Sequence, residues 1–178
     1  MTSVWRFRAI GLAIAAAVYA IDQVIKSLVL GPWRLPDRQV IDLLPFFDLR
    51  YTRNYGVSLG MFEATSPEMR WALVGLTAAI ALVVLLWMLR ERLMGEIAGL
   101  ALILGGALGN ITDRYVYGFV VDYADFHIGT FRPFLVFNVA DAAITIGVLI
   151  ILARALFMRE KPAASQADQP VEPTAENS

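Results

Sequence analysis

The sequence predicts an all-α membrane protein, four transmembrane helices with a small extracytoplasmic β-sheet between the first and second. Three observations carry that prediction. Long apolar stretches recur four times along 178 residues. The chain is 58% hydrophobic with a mean hydropathy of +0.60 and only 17% charged, whereas a water-soluble domain of this length carries more charge and shorter apolar runs. Between the first two stretches, polar and apolar residues alternate in a proline-punctuated segment, which is the pattern of strands.

Residues 1–8 are short and basic, with Arg6 and Arg8 ahead of an apolar run from Ala9 to Ile21. The run resumes as Val24-Ile25 and Ser27-Leu28-Val29-Leu30, giving about 22 residues, or roughly 33 Å of helix. Val18-Tyr19-Ala20 has the small-x-small character of a signal-peptide cleavage site. Because the apolar run continues past it, a retained first span is expected. Asp22 and Lys26 stand at i, i+4 on one helix face and read as a charge pair or as snorkelling groups near the membrane boundary.

Residues 31–68 are broken by Pro32, Pro36 and Pro45. Alternation runs through Phe47-Asp48-Leu49-Arg50-Tyr51-Thr52-Arg53, then again through Val57-Ser58-Leu59-Gly60-Met61-Phe62 after Asn54-Tyr55-Gly56. Period-2 alternation about an Asn/Gly turn predicts a small antiparallel sheet. Its apolar side, near Phe46, Phe47 and Phe62, is placed to rest on the membrane surface.

Trp71 to Leu89 is uninterrupted and uncharged, and Arg90-Glu91-Arg92 closes it as the second span. After a tight turn near Gly95, a third span runs from Ile97 to Ile111. Gly105 and Gly109 give it a small-xxx-small face for close helix approach. Asn110, Asp113 and Arg114 follow at i, i+3 and i+4 on one face. For Asp113 and Arg114 two readings stay open, part of a site or a structural polar cluster at a helix end.

Residues 115–133, with Gly118, Gly129 and Pro133, read as a connecting segment that holds Asp122, Asp125 and His127. A lone histidine in such a loop is a surface or hydrogen-bonding residue more often than a catalyst. Phe134 to Ala153 is the fourth span, interrupted only by Asn138, Asp141 and Thr145. Residues 1–160 thus form the membrane-embedded domain. The tail 161–178, rich in Pro, Ala, Gln and Glu and without periodicity, is expected to be disordered and dispensable. Four spans put both termini on one side. Arg6/Arg8, Arg90/Arg92 and Arg154/Arg159/Lys161 make that side cytoplasmic, while arginines on the other side are interspersed with acids such as Asp37, Asp42 and Asp48.

The absence of cysteine and the single histidine remove disulfides, thiol nucleophiles, Cys/His zinc sites and the paired histidines of an H-E-x-x-H metalloprotease. No metal or cofactor is expected. A net charge of −1 and no basic stripe give no sign of a nucleic-acid partner. What the composition leaves is carboxylates at membrane depth, which cost roughly 2.5–3.5 kcal/mol each on insertion scales and are functional candidates for that reason.

Asp122 and Asp141 end the oily segments FVVD and FNVAD, and are expected at helix ends on the same outer side. Two carboxylates held close cannot both ionise cheaply, so one keeps a proton near neutral pH. The ionised member can draw a proton from water while the protonated one polarises a peptide carbonyl, giving a gem-diol without a covalent enzyme adduct. The pair titrates as a unit, so neither is assigned as base. Asn110, Arg114 and Asn138 are placed to orient the pair or to bind the substrate backbone. Spacing alone leaves a proton or ion pathway open. It also leaves a Ser–Lys hydrolase built on Lys26, although Ser27 points elsewhere on the helix and Ser58 or Ser66 would have to fold onto it.

Five ordered motifs narrow this. Asp22-Gln23-x-x-Lys26, Thr52-x-Asn54-x-Gly56, Gly105-Gly106-Ala107-x-Gly109-Asn110-x-x-Asp113-Arg114, Val120-Val121-Asp122 and Phe137-Asn138-Val139-Ala140-Asp141 together resemble the lipoprotein signal peptidase (signal peptidase II) family over about residues 15–150. The resemblance implies an aspartyl endopeptidase of the bacterial cytoplasmic membrane with four spans and no metal, active near the outer face and monomeric. It implies removal of signal peptides from prolipoproteins, before a cysteine already carrying diacylglycerol, in contact with membrane lipids and inhibited by globomycin-type cyclic peptides. Asp122 and Asp141 match the catalytic dyad. Asn54, Asn110, Arg114 and Asn138 match positions that support the site or touch substrate or inhibitor. Asp22, Lys26, Gly56 and Asp113 match positions tied to stability or site support. Ala142 stands where serine is common, and NYGVSLG departs from the usual aromatic pattern, which bears on fine positioning of substrate rather than on reaction class.

Overall fold

A computed structural model of the protein describes residues 3–56 and 66–157. The elements follow in the order α1 (Ser3–Leu30), α2 (Leu35–Arg38), β1 (Val40–Leu44), β2 (Phe47–Asn54), α3 (Pro67–Arg90), α4 (Met94–Val116), β3 (Val120–Phe126) and α5 (Val139–Phe157). Among the described residues four helices, α1, α3, α4 and α5, are long and apolar enough to cross a membrane. These are the four predicted spans, each with its ends shifted by a few residues. Ser66 sets the start of α3: its hydroxyl accepts from the Met69 amide at 3.3 Å, and Pro67 follows at the first helical position.

The bundle is organised around α4, which packs against α1, α3 and α5. Half of its apolar stretch is buried, 50% against 17–22% in the other spans. Ala15 of α1, Val84 and Met88 of α3, and Ile97, Leu100 and Leu104 of α4 form the apolar core. Small residues let the helices approach. A Cβ on Gly105 would lie 2.6 Å from the Ala15 carbonyl oxygen of α1, and one on Gly106 would strike the Ala140 carbonyl oxygen of α5. Adjacent glycines thus serve two different neighbours, while Gly109, facing Asp22, completes the expected Gly105/Gly109 face toward α1.

A three-stranded antiparallel sheet, β1-β2-β3, lies at one end of the bundle. Val29 of α1, with Leu35, Leu49, Val121, Tyr123 and Ala124, packs between sheet and helix. The alternating run from Phe47 is a strand as predicted. Its described partners are β1 and β3, and the second alternating run, Val57–Phe62, lies outside the described residues, as does the tail 161–178.

Two expectations are corrected. Residues 115–133 are more than a connection, because Val120–Phe126 is the third strand. Val120 to Asp125 are all buried, so the strand lacks the alternation by which half-exposed strands betray themselves. The fourth helix starts at Val139, not Phe134. Phe137 instead pairs with Ala124, donating to its carbonyl at 3.0 Å and accepting from its amide at 2.8 Å. Apolar content alone cannot separate that extended strip from the helix that follows.

Close approach at α4 gives a clean test. Gly106→Leu should overpack the α4–α5 contact and cost about 1–3 kcal/mol, lowering the melting temperature in detergent. Gly75→Leu on α3, where an added Cβ meets nothing within 4 Å, should leave the melt unchanged.

Candidate active site

At the buried junction of α1, α4, β3 and α5 lies a cage of charges. Lys26 Nζ sits 2.8 Å from Asp22 Oδ2 and 2.8 Å from Asp113 Oδ2, with all three side chains out of solvent. The expected Asp22–Lys26 charge pair is present, but neither residue snorkels. Asp113, one turn-face of α4 away, supplies a second counter-charge that keeps the ammonium inside. Gln23 fills the remaining space, donating to Asp22 Oδ2 at 3.1 Å and Asp113 Oδ1 at 3.2 Å. The two acids also reach across elements. Asp22 Oδ1 accepts from the Ala140 amide in the first turn of α5 at 3.1 Å, and Asp113 Oδ2 accepts from the Val121 amide of β3 at 3.0 Å. Each thereby grips the residue immediately before one of the two predicted dyad aspartates.

Asp122 is on a strand rather than at a helix end, as the sequence had suggested. Its side chain still turns to the same place as that of Asp141, in the first turn of α5. Asn138 joins them. Its Nδ2 donates to Asp122 Oδ1 at 2.7 Å, while its Oδ1 accepts from the Asp141 amide at 2.9 Å. Asp141 Oδ2 in turn accepts from the Asn138 amide at 3.2 Å, a reciprocal cap that starts α5. Asn110 donates to Asp141 Oδ1 at 2.8 Å and accepts from Lys26 at 3.2 Å. Asn54 donates to Asp122 Oδ2 at 3.0 Å, its own Oδ1 held by the Gly56 amide at 3.1 Å.

Arg114 does not pair with Asp113. It reaches the Gly56 carbonyl at 3.0 Å, from the site's edge. Every predicted site residue is therefore part of one connected region. Two contributors were not singled out from the sequence. Gln23 is one, visible in retrospect as the polar neighbour inside the first motif. Tyr123 is the other, its hydroxyl accepting from the Val139 amide at 3.3 Å, and a fully buried strand offers no pattern to flag it. Among the described residues no group of three or more His, Asp or Glu is arranged to hold a metal ion.

Environment separates the carboxyls of β3. Burial first, and the neighbouring charge of Asp141 second, push Asp122 up to about 7, against the hydrogen bonds of Asn54 and Asn138. Asp125, three residues on, is equally buried. There burial is outweighed by Arg50 at 2.7 Å and Arg132 at 3.0 Å, and the group lies below its ordinary value. His127 is apart from the site, its Nδ1 within 3.3 Å of the Gly129 carbonyl oxygen, as expected of a hydrogen-bonding residue, and its Nε2 beside Asp48 Oδ2 at 2.9 Å.

Asp122, Asp141 and Asn54 border a cleft of about 700 Å³ whose other walls are apolar except for Thr145, among them Phe134, Leu135, Ile144 and Ile146. Four helices able to span a membrane, with two carboxyl side chains bordering one largely apolar cleft, define the class: a multi-span membrane protein with a paired-acid site. Comparison with known proteins then places it within that class. The chain belongs to the signal peptidase II family, whose model matches residues 14–157. The lipoprotein signal peptidase of Sphingopyxis alaskensis is 52% identical over 158 residues, covering 89% of this chain and 90% of that protein. That of Rhizorhabdus wittichii is 52% identical over 153 residues, covering 86% and 89%. A solved bacterial membrane enzyme, 28% identical, aligns over 84% of this chain and 94% of its own with a TM-score of 0.71. The protein is thus a multi-pass bacterial membrane peptidase of the aspartic class.

Holding Asp122 protonated has a consequence for stability. A carboxyl raised from 3.8 to about 7 by folding contributes fully below the unfolded value and loses that contribution as pH climbs through the folded one. Asp122→Asn, which mimics the protonated form, should match wild type in stability near about pH 4 and exceed it increasingly up to about pH 7, by at most roughly 4 kcal/mol, with a melting temperature that rises in step relative to wild type. A constant difference across that range in thermal melts would refute the raised pKa of Asp122.

Proposed function

We propose that this peptidase removes signal peptides from prolipoproteins whose cysteine already carries diacylglycerol, cutting on the N-terminal side of that cysteine. The observation that carries the reading is the tie made by Asn138, one side chain hydrogen-bonded to Asp122 and to the backbone of Asp141 at the head of an apolar-walled cleft. Asp122 and Asp141 are the catalytic pair. One carboxylate takes a proton from water, the water oxygen attacks the scissile carbonyl carbon, and the other carboxyl gives its proton to the carbonyl oxygen. As the gem-diol collapses, the carboxyl that took water's proton delivers it to the leaving nitrogen, the C–N bond breaks, and one diol hydroxyl returns a proton to the carboxylate that had protonated the carbonyl oxygen.

The cleft's walls suit a substrate that remains in the bilayer. Phe134 and Leu135, with Ile144 and Ile146 of α5, leave acyl chains and an apolar signal helix in contact with lipid or side chains rather than water. Asn54, Asn110, Arg114 and Asn138 support the pair or meet the substrate backbone, and cyclic peptides of the globomycin type would occupy the same cleft. The active end of the bundle faces the outside of the cytoplasmic membrane, with both termini in the cytoplasm. A Ser–Lys mechanism is disfavoured by the surroundings of Lys26, whose described partners are Asp22, Asp113 and Asn110.

The test is cleavage of a diacylglyceryl-modified precursor peptide by the purified protein in detergent. Asp122→Asn and Asp141→Asn should each reduce kcat by at least about 10³-fold while melting as cooperatively as wild type. Activity retained in either folded variant, or in neither the wild type nor the variants, would overturn the assignment.

A further inference from the structure

We infer that Lys26 is a positioning residue that divides the labour of the pair: acting through Asn110, it holds Asp141 as the carboxylate that takes the proton from water and leaves Asp122 as the carboxyl that protonates the substrate oxygen. This rests on the aspartic reading above and goes a step past it, because the pair by itself has no sides.

The asymmetry comes from the donors. A side-chain amide can turn either its oxygen or its nitrogen to a neighbour. Lys26 is a donor only, and it points at Asn110 Oδ1 from 3.2 Å, where Asn138 Nδ2 also arrives at 3.3 Å. Two donors on that oxygen leave Asn110 Nδ2 to face Asp141 Oδ1 at 2.8 Å. The other oxygen of Asp141 accepts a main-chain amide at the start of α5, where the helix dipole favours negative charge. Both oxygens thus meet donors fixed by an ammonium or by a helix terminus. Asp122 has two donors as well, Asn54 and Asn138, but both are neutral side-chain amides, and it sits on a strand that offers no comparable dipole. It is also the more deeply buried, 2% exposed, whereas Asp141 is partly open to the cleft. Burial opposes the charge on both carboxyls, but Asp122 is the less exposed of the two and the donor set at Asp141 is the one that favours the ion.

The other charges around the pair do not reverse this. Asp22 and Lys26 of α1 face Asp141 together, and Arg114 and Asp113 of α4 stand near both carboxyls. Tyr123 of β3 adds a neutral phenol. Asp22 and Asp113 offset the ammonium's long-range field, so Lys26 works mainly by fixing the Asn110 amide, a short-range effect that burial does not screen.

With the sides assigned, each proton has an address. Water gives one to Asp141 and its oxygen bonds the carbonyl carbon, while Asp122 gives its proton to the carbonyl oxygen. On collapse Asp141 protonates the leaving nitrogen, the C–N bond breaks, and one diol hydroxyl returns a proton to Asp122, restoring the starting state.

The experiment uses the full chain and the lipid-modified precursor peptide. In wild type the acid limb of the kcat/KM profile reports Asp141. Asn110→Leu removes the link while leaving Lys26 between Asp22 and Asp113, and should move that limb up by about one pH unit, a tenfold loss on the limb itself. Lys26→Met should shift it in the same direction. Should that variant fail to fold, with two acids left unpaired, Asn110→Leu carries the test alone. An equal loss at every pH would mark both as merely structural and overturn the inference.

A second readout needs no turnover. In protein labelled with ¹³C-aspartate, the two carboxyl resonances are assigned by their loss in Asp122→Asn and Asp141→Asn. At a pH where one of the two carboxyls is ionised, the Asp141 carbon should lie at the ionised position and the Asp122 carbon at the protonated one. The reverse pattern with both variants inactive would remove the division of labour and keep the protease, whereas active variants would remove the protease itself.

Discussion

A lysine enclosed by two aspartates, where four elements meet inside a membrane bundle, is the constraint on which the rest depends. Taking three charges out of water is costly, and their mutual attraction repays it only with close geometry and further hydrogen bonds. Here the 2.8 Å pairs of Lys26 are such a geometry, and the spare lone pairs of Asp22 and Asp113 are used on the main-chain amides of Ala140 and Val121. Those two amides belong to α5 and β3, so neutralising the charges and placing the elements that carry Asp141 and Asp122 are one and the same act. Neither element could slide by a residue without stranding a buried carboxylate.

The small residues of α4 make that cage reachable. Gly105 and Gly106 bring α1 and α5 to backbone contact on either side, and Gly109 leaves room beside Asp22 that any larger side chain would fill. With no hydrophobic drive between helices in lipid, association rests on such packing and on interhelical polar contacts. Both occur on the same turns of α4, because Asn110 and Asp113 follow directly from the glycines. One helix therefore sets the spacing of the bundle and orients its chemistry.

Much of this was legible in the chain. Spans of twenty apolar residues have few alternatives, and Asp122 and Asp141 stood out because charge at the end of an oily run needs a reason. The ordered motifs, rather than spacing, turned two conspicuous acids into a pair. Other features were hidden for physical reasons. Val120–Asp125 is buried throughout, so the strand left no period-2 signature, and Phe134–Phe137 has the composition of the helix beside it. Lys26 looked like a snorkelling group because only its i−4 partner lies nearby in sequence, and Asp113, its second partner, comes from another helix. The bridge through Asn138 was beyond reach for the same cause: adjacency to Asp141 is visible in the sequence, adjacency to Asp122 only in space.

Asp122 and Asp125 show why this sheet belongs to the site and is more than a cover for it. Both are buried on the same strand, yet Asp125 is clamped by Arg50 and Arg132 while Asp122 is given only amides. Matching Asp122 with an arginine would have stabilised the fold and fixed its charge. Amides satisfy its oxygens without supplying a full counter-charge, so burial and Asp141 can raise its affinity for a proton. A paired ion serves structure, and in the mechanism proposed above a hydrogen-bonded but uncompensated acid serves proton transfer; β3 carries one of each, three residues apart, and the partners supplied by other parts of the chain set the difference.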